Sequence, residues 1–445
     1  MYKSKTEGQK KQEAEVMSIR CWRFLRGLLG ALNAELDRRQ VRTFLDLVMV
    51  ILMHRHRNNG LLLSELGDQL LGGEHGPAGT KRISKLLHSK KWESELIEAY
   101  LWKQGNERVE SLLSPQDDVY VIWDESVIEK SESLKAEGLC PVRSSKAARL
   151  KRIKPGYFNP PGGRPIFVPG INWLQVLVAG PQGTASLTHL HWWTTHGEKA
   201  SDKRTEELKV LEKATKMWGS CVIHIWDRGF AGTPWLLEVL KRKLRFILRW
   251  KKDYKLIGPD GQAHKAWEIT RGKRSQDHRE VYDCKHRCMR KTGIIVVPVS
   301  LPDQPSQQLW LVVARPGQGR TPWYLLTSDP IRSNQDAWRV VFAYARRWQI
   351  EMSIRFTKSE MAFECPRLLR WDHRKKLLLI AALAYAFLLS LLQFDHQPLF
   401  ERLIDLFCYR TGKWSRDVST PLYRLRIALS RLWLAYRPLS LPLLN

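Results

Sequence analysis

Four residues with different functional groups are spaced at helical intervals between positions 344 and 358. Arg347, Glu351 and Lys358 follow Tyr344 by three, seven and fourteen residues. Because a helix turns about 100° per residue, these side chains reach nearly the same side of it, together with Arg355. A single carboxylate surrounded by cations could hold a metal ion next to groups that bind phosphate. The alternative is a solvated charged face, although such a face usually alternates its signs.

The other side of the same stretch is apolar. Its residues recur at the spacing of a buried helical track, at Val341, Ala345, Trp348, Met352 and Phe356. The pattern therefore predicts one continuous amphipathic helix over 344–358 that rests on a core through this track.

Two aspartates earlier in the chain share a local pattern. Asp124 follows the run VYVIW and Asp227 follows the run VIHIW, so both come directly after a Trp. Short runs of β-branched and aromatic residues predict strands, and we expect both strands to end at these aspartates. Carboxylates that converge from strand tips could coordinate Mg²⁺, which prefers oxygen ligands. In a chain with 45 acidic residues, however, such a triplet is by itself a weak indication.

The chain alternates between helical and strand-rich segments, which predicts an α/β protein. A helical N-terminal region that binds DNA is predicted at 1–115. The first part of a mixed core is predicted at 116–251. Residues 252–320 lose the helical periodicity and predict a β-rich insertion, after which the core resumes at 321–395. The last segment, 396–445, is predicted to be helical and basic.

Two short amphipathic segments in the N-terminal region, 62–71 and 81–91, are joined by a glycine-rich turn. The second segment carries Lys81, Arg82 and Lys85 beside apolar residues. This arrangement resembles a helix-turn-helix whose second helix would lie in the major groove of DNA. Any helical hairpin with surface lysines has a similar pattern, which is the alternative.

The charge of the chain indicates the kind of partner. Lys and Arg total 73 of the 445 residues against 45 Asp and Glu, which gives a net charge of +28. A charge spread along the whole chain favours a nucleic acid partner over an anionic membrane surface. The long apolar run at 377–392 is shorter than the roughly 18–20 residues that span a bilayer. We therefore predict a buried helix there and no membrane partner.

A basic loop rich in Pro and Gly is predicted around 138–165. It includes Arg149, Lys151 and Arg152, and it contains no acidic residue to balance them. Such a block of one charge is typical of a contact with a polyanion or of a disordered arm.

The seven cysteines are scattered, and the first residues contain no apolar leader. Both observations favour a reducing cytoplasmic compartment. Cys284 and Cys288, with His278 and His286 nearby, are spaced too loosely to predict a zinc site.

The stretch 344–358 resembles the signature Tyr-x2-Arg-x3-Glu-x6-Lys of the insertion-sequence-four family of DDE transposases. Every spacing is satisfied, by Tyr344, Arg347, Glu351 and Lys358. Asp227-Arg-Gly-Phe is similar to that family's second-aspartate motif, and Asp124-Glu-Ser to its first. The interval between Asp227 and Glu351 leaves room for the β-rich insertion of the family. The resemblance covers about residues 60–395.

This resemblance implies a ribonuclease-H-like mixed sheet core with a β-rich insertion, flanked by N- and C-terminal helical regions. It makes Asp124, Asp227 and Glu351 ligands of catalytic Mg²⁺, with Mn²⁺ as a substitute. Tyr344, Arg347 and Lys358 would contact DNA phosphates near the cleaved bond. Arg355 lies outside the signature, and its place on the same helix face is what predicts a DNA contact for it. Trp323 would stack on a base flipped from the duplex, for which a core aromatic at a strand edge is the alternative.

The function implied is that of a cut-and-paste DNA transposase. It would bind the terminal inverted repeats of its element, cleave them through a hairpin intermediate and join them to target DNA. A homodimer that holds paired ends, and a nucleoid-associated location in a bacterial-type cytoplasm, are expected. The alternatives are a catalytically inactive or domesticated DNA-binding relative and a ribonuclease-H-like nuclease without strand transfer.

Overall fold

The computed structural model describes residues 7–114, 117–130, 135–145, 165–283, 288–317, 320–393, 397–408 and 422–436. The described strands are β1 (Tyr120–Glu129), β2 (Cys140–Arg143), β3 (Phe167–Ala179), β4 (Ser186–Trp193), β5 (Ile223–Trp226), β6 (Arg245–Arg249), β7 (Lys255–Ile257), β8 (Ala263–Lys265), β9 (Asp277–Asp283), β10 (Cys288–Leu301), β11 (Gln304–Arg315) and β12 (Trp323–Thr327). They form a single twelve-stranded sheet.

Helices precede, interrupt and follow this sheet along the chain. They are α1 (Glu7–Glu35), α2 (Arg38–Met53), α3 (Leu63–Leu71), α4 (Gly76–His88), α5 (Glu95–Leu113), α6 (Lys203–Trp218), α7 (Thr233–Lys241), α8 (Ala266–Ile269), α9 (Asn334–Ala345), α10 (Trp348–Ser359), α11 (Trp371–Ser390), α12 (Gln397–Phe407) and α13 (Leu422–Ala435). The sheet is thus flanked by N- and C-terminal helices, as the sequence predicts.

The centre of the sheet has the strand order β4-β3-β1-β5-β6. Strand β3 is antiparallel to both β1 and β4. Strand β5 is parallel to β1, and β6 is parallel to β5. The predicted fold class, a ribonuclease-H-like mixed sheet between helical regions, is confirmed.

The strands predicted as a β-rich insertion continue this sheet. Strand β12 pairs antiparallel with β6, and β11, β10 and β9 follow it outward. Strands β7 to β11 fall within the predicted range 252–320. The division into domains at these boundaries stays a prediction.

Apolar side chains cover both faces of the sheet. One face packs mainly on α6 and α7, and the other mainly on the N-terminal helices and α9 to α11. Helix α11 is buried along nearly its whole length, which confirms the buried helix predicted from the apolar run. Among the described residues, no helix is both long and apolar enough to cross a membrane.

The prediction that the first strand ends at Asp124 is wrong. Strand β1 continues to Glu129 because β3 offers an antiparallel partner to each of its residues from Tyr120 onward. The parallel partner β5 stops earlier and pairs only with residues up to Ile122. Asp124 therefore lies just past the end of the parallel ladder, in the middle of its own strand.

The prediction of one continuous helix over 344–358 is also wrong. Helix α9 ends at Ala345 and α10 begins at Trp348. Between them the backbone tightens, since Arg347 N donates to Tyr344 O (3.0 Å) and Ile350 N donates to Arg347 O (3.1 Å). These bonds span three residues instead of four, which shortens the turn. Arg347 consequently stands at the start of the helix that carries Glu351.

The two predicted amphipathic segments near the N-terminus form α3 and α4, and α4 begins earlier than predicted, at Gly76. The helices approach each other closely where Gly67 faces Gly79. A Cβ atom on Gly79 would lie 2.1 Å from the carbonyl oxygen of Gly67. Glycine at these positions therefore permits the crossing.

His224 on β5 is a fully buried polar group at the centre of the sheet. Its Nδ1 accepts a hydrogen bond of 3.1 Å from Trp123 Nε1. An imidazole nitrogen that accepts a hydrogen bond must carry no proton, so this ring is neutral. Burial lowers the pKa of His224 to about 3.

We expect His224 to make the protein sensitive to mild acid. The unfolded chain protonates this residue below its ordinary pKa, whereas the folded chain resists protonation down to about 3, so stability falls as the pH drops through this window. Relative to His224→Gln, the wild type should lose roughly 2–3 kcal/mol more between pH 7 and 4.5. Urea unfolding at both pH values measures this difference. His196→Gln, which alters an exposed histidine, is the control; an identical pH dependence in all three proteins would contradict the assignment.

Candidate active site

Asp124 and Asp227 are neighbours across the central parallel strand pair. The register pairs Tyr120 with Ile223 and Ile122 with Ile225. The same offset, carried two residues further, sets Asp124 beside Asp227. The repeated Trp-Asp junction in the sequence thus marks the end of the parallel pairing between β1 and β5.

The backbone after β5 fixes the carboxylate of Asp227. Its Oδ1 accepts a hydrogen bond of 2.5 Å from Gly229 N. A Cβ atom at position 229 would lie 2.9 Å from that same oxygen. Gly229 therefore lets the chain turn back tightly onto the aspartate and orient it.

The environment of Asp124 disfavours its negative charge. Only 18% of its side chain is exposed. Burial raises the pKa of Asp124 to about 7, the nearby Asp227 carboxylate adds to the shift, and Arg347 opposes it. A second cation, or a proton, would relieve this cost.

Arg347 connects the strand carboxylate to the helix carboxylate. One terminal nitrogen lies 3.4 Å from Asp124 Oδ2, and the other donates a hydrogen bond to Glu351 Oε1. The guanidinium is itself largely buried, with 11% of the side chain exposed. The turn between α9 and α10 is what brings Arg347 to this position.

A buried hydrogen-bond network, not anticipated from the sequence, holds α10 on the sheet. Gln175 lies directly opposite Asp124 in the β1–β3 ladder. Its Nε2 donates to Ser353 Oγ (2.6 Å), and Tyr385 on α11 donates to the same oxygen (2.8 Å). The one available signal is a glutamine inside the otherwise apolar run WLQVLVA. These residues position the helix of Glu351 without touching the carboxylates.

The donor chemistry of the site fits a divalent cation, since carboxylate oxygens are the ligands that Mg²⁺ and Mn²⁺ prefer. The excess negative charge around Asp124 points the same way. Across the described part of the chain, however, no three His, Cys, Asp or Glu side chains lie close enough together to hold a metal ion. Arg347 stands between Asp124 and Glu351, so metal binding would require its guanidinium to move.

Tyr344 and Trp323 lie against each other beside this site. Their ring centroids are 5.2 Å apart in an edge-to-face arrangement. Burial raises the pKa of the Tyr344 hydroxyl, while the nearby Arg347 and Arg249 oppose the shift. Trp323 is half-buried at the first residue of β12. The contact places Trp323 next to the end of α9. Base stacking by its ring stays a prediction.

Helix α10 carries two more predicted DNA contacts. Arg355 and Lys358 follow Glu351 by four and seven residues and so share its face. Arg355 is exposed and Lys358 is half-buried. This face therefore carries a carboxylate nearer the start of α10 and cations nearer its end.

The remaining predicted DNA contacts lie elsewhere in the chain. Lys81 and Lys85 are exposed on α4. The Arg82 side chain binds two residues of α2. Its Nε donates to Thr43 Oγ1 (2.7 Å), and a terminal nitrogen lies 3.7 Å from Asp46 Oδ2. It therefore fastens α4 to α2. Outside the described residues lie Arg149, Lys151, Arg152, Cys284 and His286.

Residues 187–387 match the family described as Transposase DDE domain. The match supports a transposase function. It includes Asp227, Trp323 and the whole signature from 344 to 358, whereas Asp124 precedes it.

Among solved structures, the chain is similar to the piggyBac transposase in a synaptic complex with hairpin DNA. The sequence identity is 14% and the TM-score 0.42, over 90% of this chain and 72% of the other.

We expect a divalent cation to stabilise the folded protein through the two aspartates. Mn²⁺ at about a hundred times its dissociation constant should add roughly 2–3 kcal/mol to the wild type. Asp227→Asn should lose most of this gain, and in EDTA at pH 8 it should be more stable than the wild type because a repulsion is removed. Thermal melting with and without Mn²⁺ measures both effects. Asp303→Asn, which alters an exposed carboxylate between β10 and β11, should respond like the wild type.

The position of Arg347 leads to a second expectation. In EDTA, Arg347→Gln should melt at a lower temperature than the wild type, because Asp124 and Glu351 lose their cation. Added Mn²⁺ should then raise its melting temperature by more than it raises that of the wild type, since the competing guanidinium is gone. A smaller rise than in the wild type would show that Arg347 and the metal do not compete.

Proposed function

We propose that this protein is a DNA transposase of the insertion-sequence-four type that cleaves the ends of its element and joins them to target DNA. The observation that carries the proposal is the alignment of Asp124 with Asp227 on adjacent parallel strands, with Glu351 linked to Asp124 through Arg347. The match of residues 187–387 to a transposase domain supports the same reaction.

Each acidic residue has a role in this proposal. Asp124, Asp227 and Glu351 would hold Mg²⁺, or Mn²⁺ in its place. The metal supplies activation of an attacking hydroxyl and stabilisation of the leaving oxygen in phosphoryl transfer. Because Asp124 is buried, its charge is best neutralised by a cation at this place, which favours loading of the site before DNA is cut.

The cations of α10 would hold the DNA. Arg347, once released from Glu351, offers a planar pair of donors that matches a phosphate. Arg355 and Lys358 extend the same helix face by one and two turns, so they would follow the backbone away from the cleaved bond. Lys81 and Lys85 on α4 would contact the duplex at a separate place.

The expected partners follow from the chemistry of transposition. The net charge of +28 favours a DNA partner, here the terminal inverted repeats and the target. A homodimer would hold two ends together, and the second strand would be cut through a hairpin. A bacterial-type cytoplasm, in association with the nucleoid, is the proposed location.

The test is a plasmid that carries the gene with its own flanking DNA, incubated with the protein and Mg²⁺. We expect nicks at the element ends, hairpin-ended fragments on a denaturing gel, and joining of those ends to a second supercoiled plasmid. Asp227→Asn should abolish all three products, whereas Asp303→Asn should keep them.

The alternatives predict different product patterns. Cleavage without joining would indicate a ribonuclease-H-like nuclease, and binding of the ends without cleavage would indicate an inactive relative. Undiminished cleavage by Asp227→Asn would refute the assigned metal site.

A further inference from the structure

A basic surface cavity lies where β9, β10, β11 and β12 meet. Its volume is about 520 Å³, and its walls include His278, Lys291, Arg315 and Arg320. All the charged residues that line it are basic. None of the residues that line it belongs to the carboxylate site.

Gly293, which lines the cavity, lies in a row of paired residues. Gly293 on β10 pairs with His278 on one side and with Arg315 on the other. A Cβ atom on Gly293 would lie 2.4 Å from Ser275 Oγ and 3.0 Å from His278 Nε2, so glycine lets these two lining side chains pack closely on β10.

Arg315 is held in place before any ligand arrives. Two of its nitrogens donate hydrogen bonds of 2.9 Å to the carbonyl oxygens of Lys273 and Thr270. These bonds tie the segment before β9 to the end of β11. A guanidinium fixed in this way loses little conformational entropy when it binds an anion.

Exposed cations surround this fixed group. Lys291 lies two residues before Gly293 and thus on the same face of β10. Arg320, which also lines the cavity, is exposed as well. On the same side of the sheet, Glu280 pairs with Lys291, so the balance of charge in and around the cavity remains positive.

We propose that this cavity binds a phosphate group of the DNA backbone. The proposal rests on the proposed function, which supplies the DNA. A concave site with several cations and a preset guanidinium suits a phosphate oxyanion, whereas a solvated basic face needs no cavity. Pro322 lines the cavity and the next residue, Trp323, contacts Tyr344. DNA held here would therefore pass close to Tyr344 at the end of α9.

The experiment compares two double variants with equal loss of charge. Lys291→Gln/Arg320→Gln removes the exposed cations of the cavity. Lys252→Gln/Lys255→Gln removes two exposed cations of the same strand-rich region that do not line it. Fluorescence anisotropy with a labelled duplex from the element end, at several KCl concentrations, gives Kd and its salt dependence, and thermal melting checks that both variants fold.

The cavity variant should bind the duplex roughly tenfold more weakly, and its slope of log K against log salt should be shallower by about two. The control variant should stay within about twofold of the wild type. An unchanged cavity variant, or equal weakening in both variants, would overturn the cavity assignment alone. A wild type that binds no DNA would overturn the proposed function as well.

Inorganic phosphate tests whether the cavity serves a free anion instead. Its addition should shift the imidazole NMR signals of His278 only weakly, because a single ion lacks the neighbouring contacts of a DNA strand. Saturable binding of phosphate, together with unchanged DNA affinity in the cavity variant, would overturn the assignment to DNA.

Discussion

The charge balance around Asp124 is the constraint on which the site depends. This carboxylate is largely buried, and the parallel register of β1 and β5 places Asp227 beside it. Two carboxylates in a poorly solvated place need a cation, and Arg347 fills that need from the turn between α9 and α10. The paired strands create the negative charge, and the tightened turn supplies the group that offsets it.

The means of positioning Glu351 is separate from the means of balancing its charge. Ser353, two residues after Glu351 on α10, is held by Gln175 on β3 and by Tyr385 on α11. These neutral hydrogen bonds do not involve Arg347. Under the proposed function, the guanidinium would therefore leave the carboxylates for a phosphate while α10 stays docked on the sheet. A site held together by its own ion pairs would not have this freedom.

Local patterns predicted most of the elements and the pairing of the aspartates, because β-branched runs and helical periodicity are local properties. They failed where distant partners decide the outcome. Strand β1 passes Asp124 since β3 pairs with it, which no local signal indicates. The break before Trp348 consists of Arg346 and Arg347, although arginine has a good helix propensity. The bond from Gln175 to Ser353 joins positions 178 residues apart.

Helix α9 connects the strands of the predicted β-rich insertion to the turn before α10. Trp338 on α9 donates to Asp277 Oδ2 on β9 (2.8 Å), and the Arg279 guanidinium lies 5.5 Å from the Trp338 ring centre. The same helix ends one residue after Tyr344. Because β9 also supplies one wall of the basic cavity, a contiguous set of contacts runs from that cavity through α9 to the turn at Arg347.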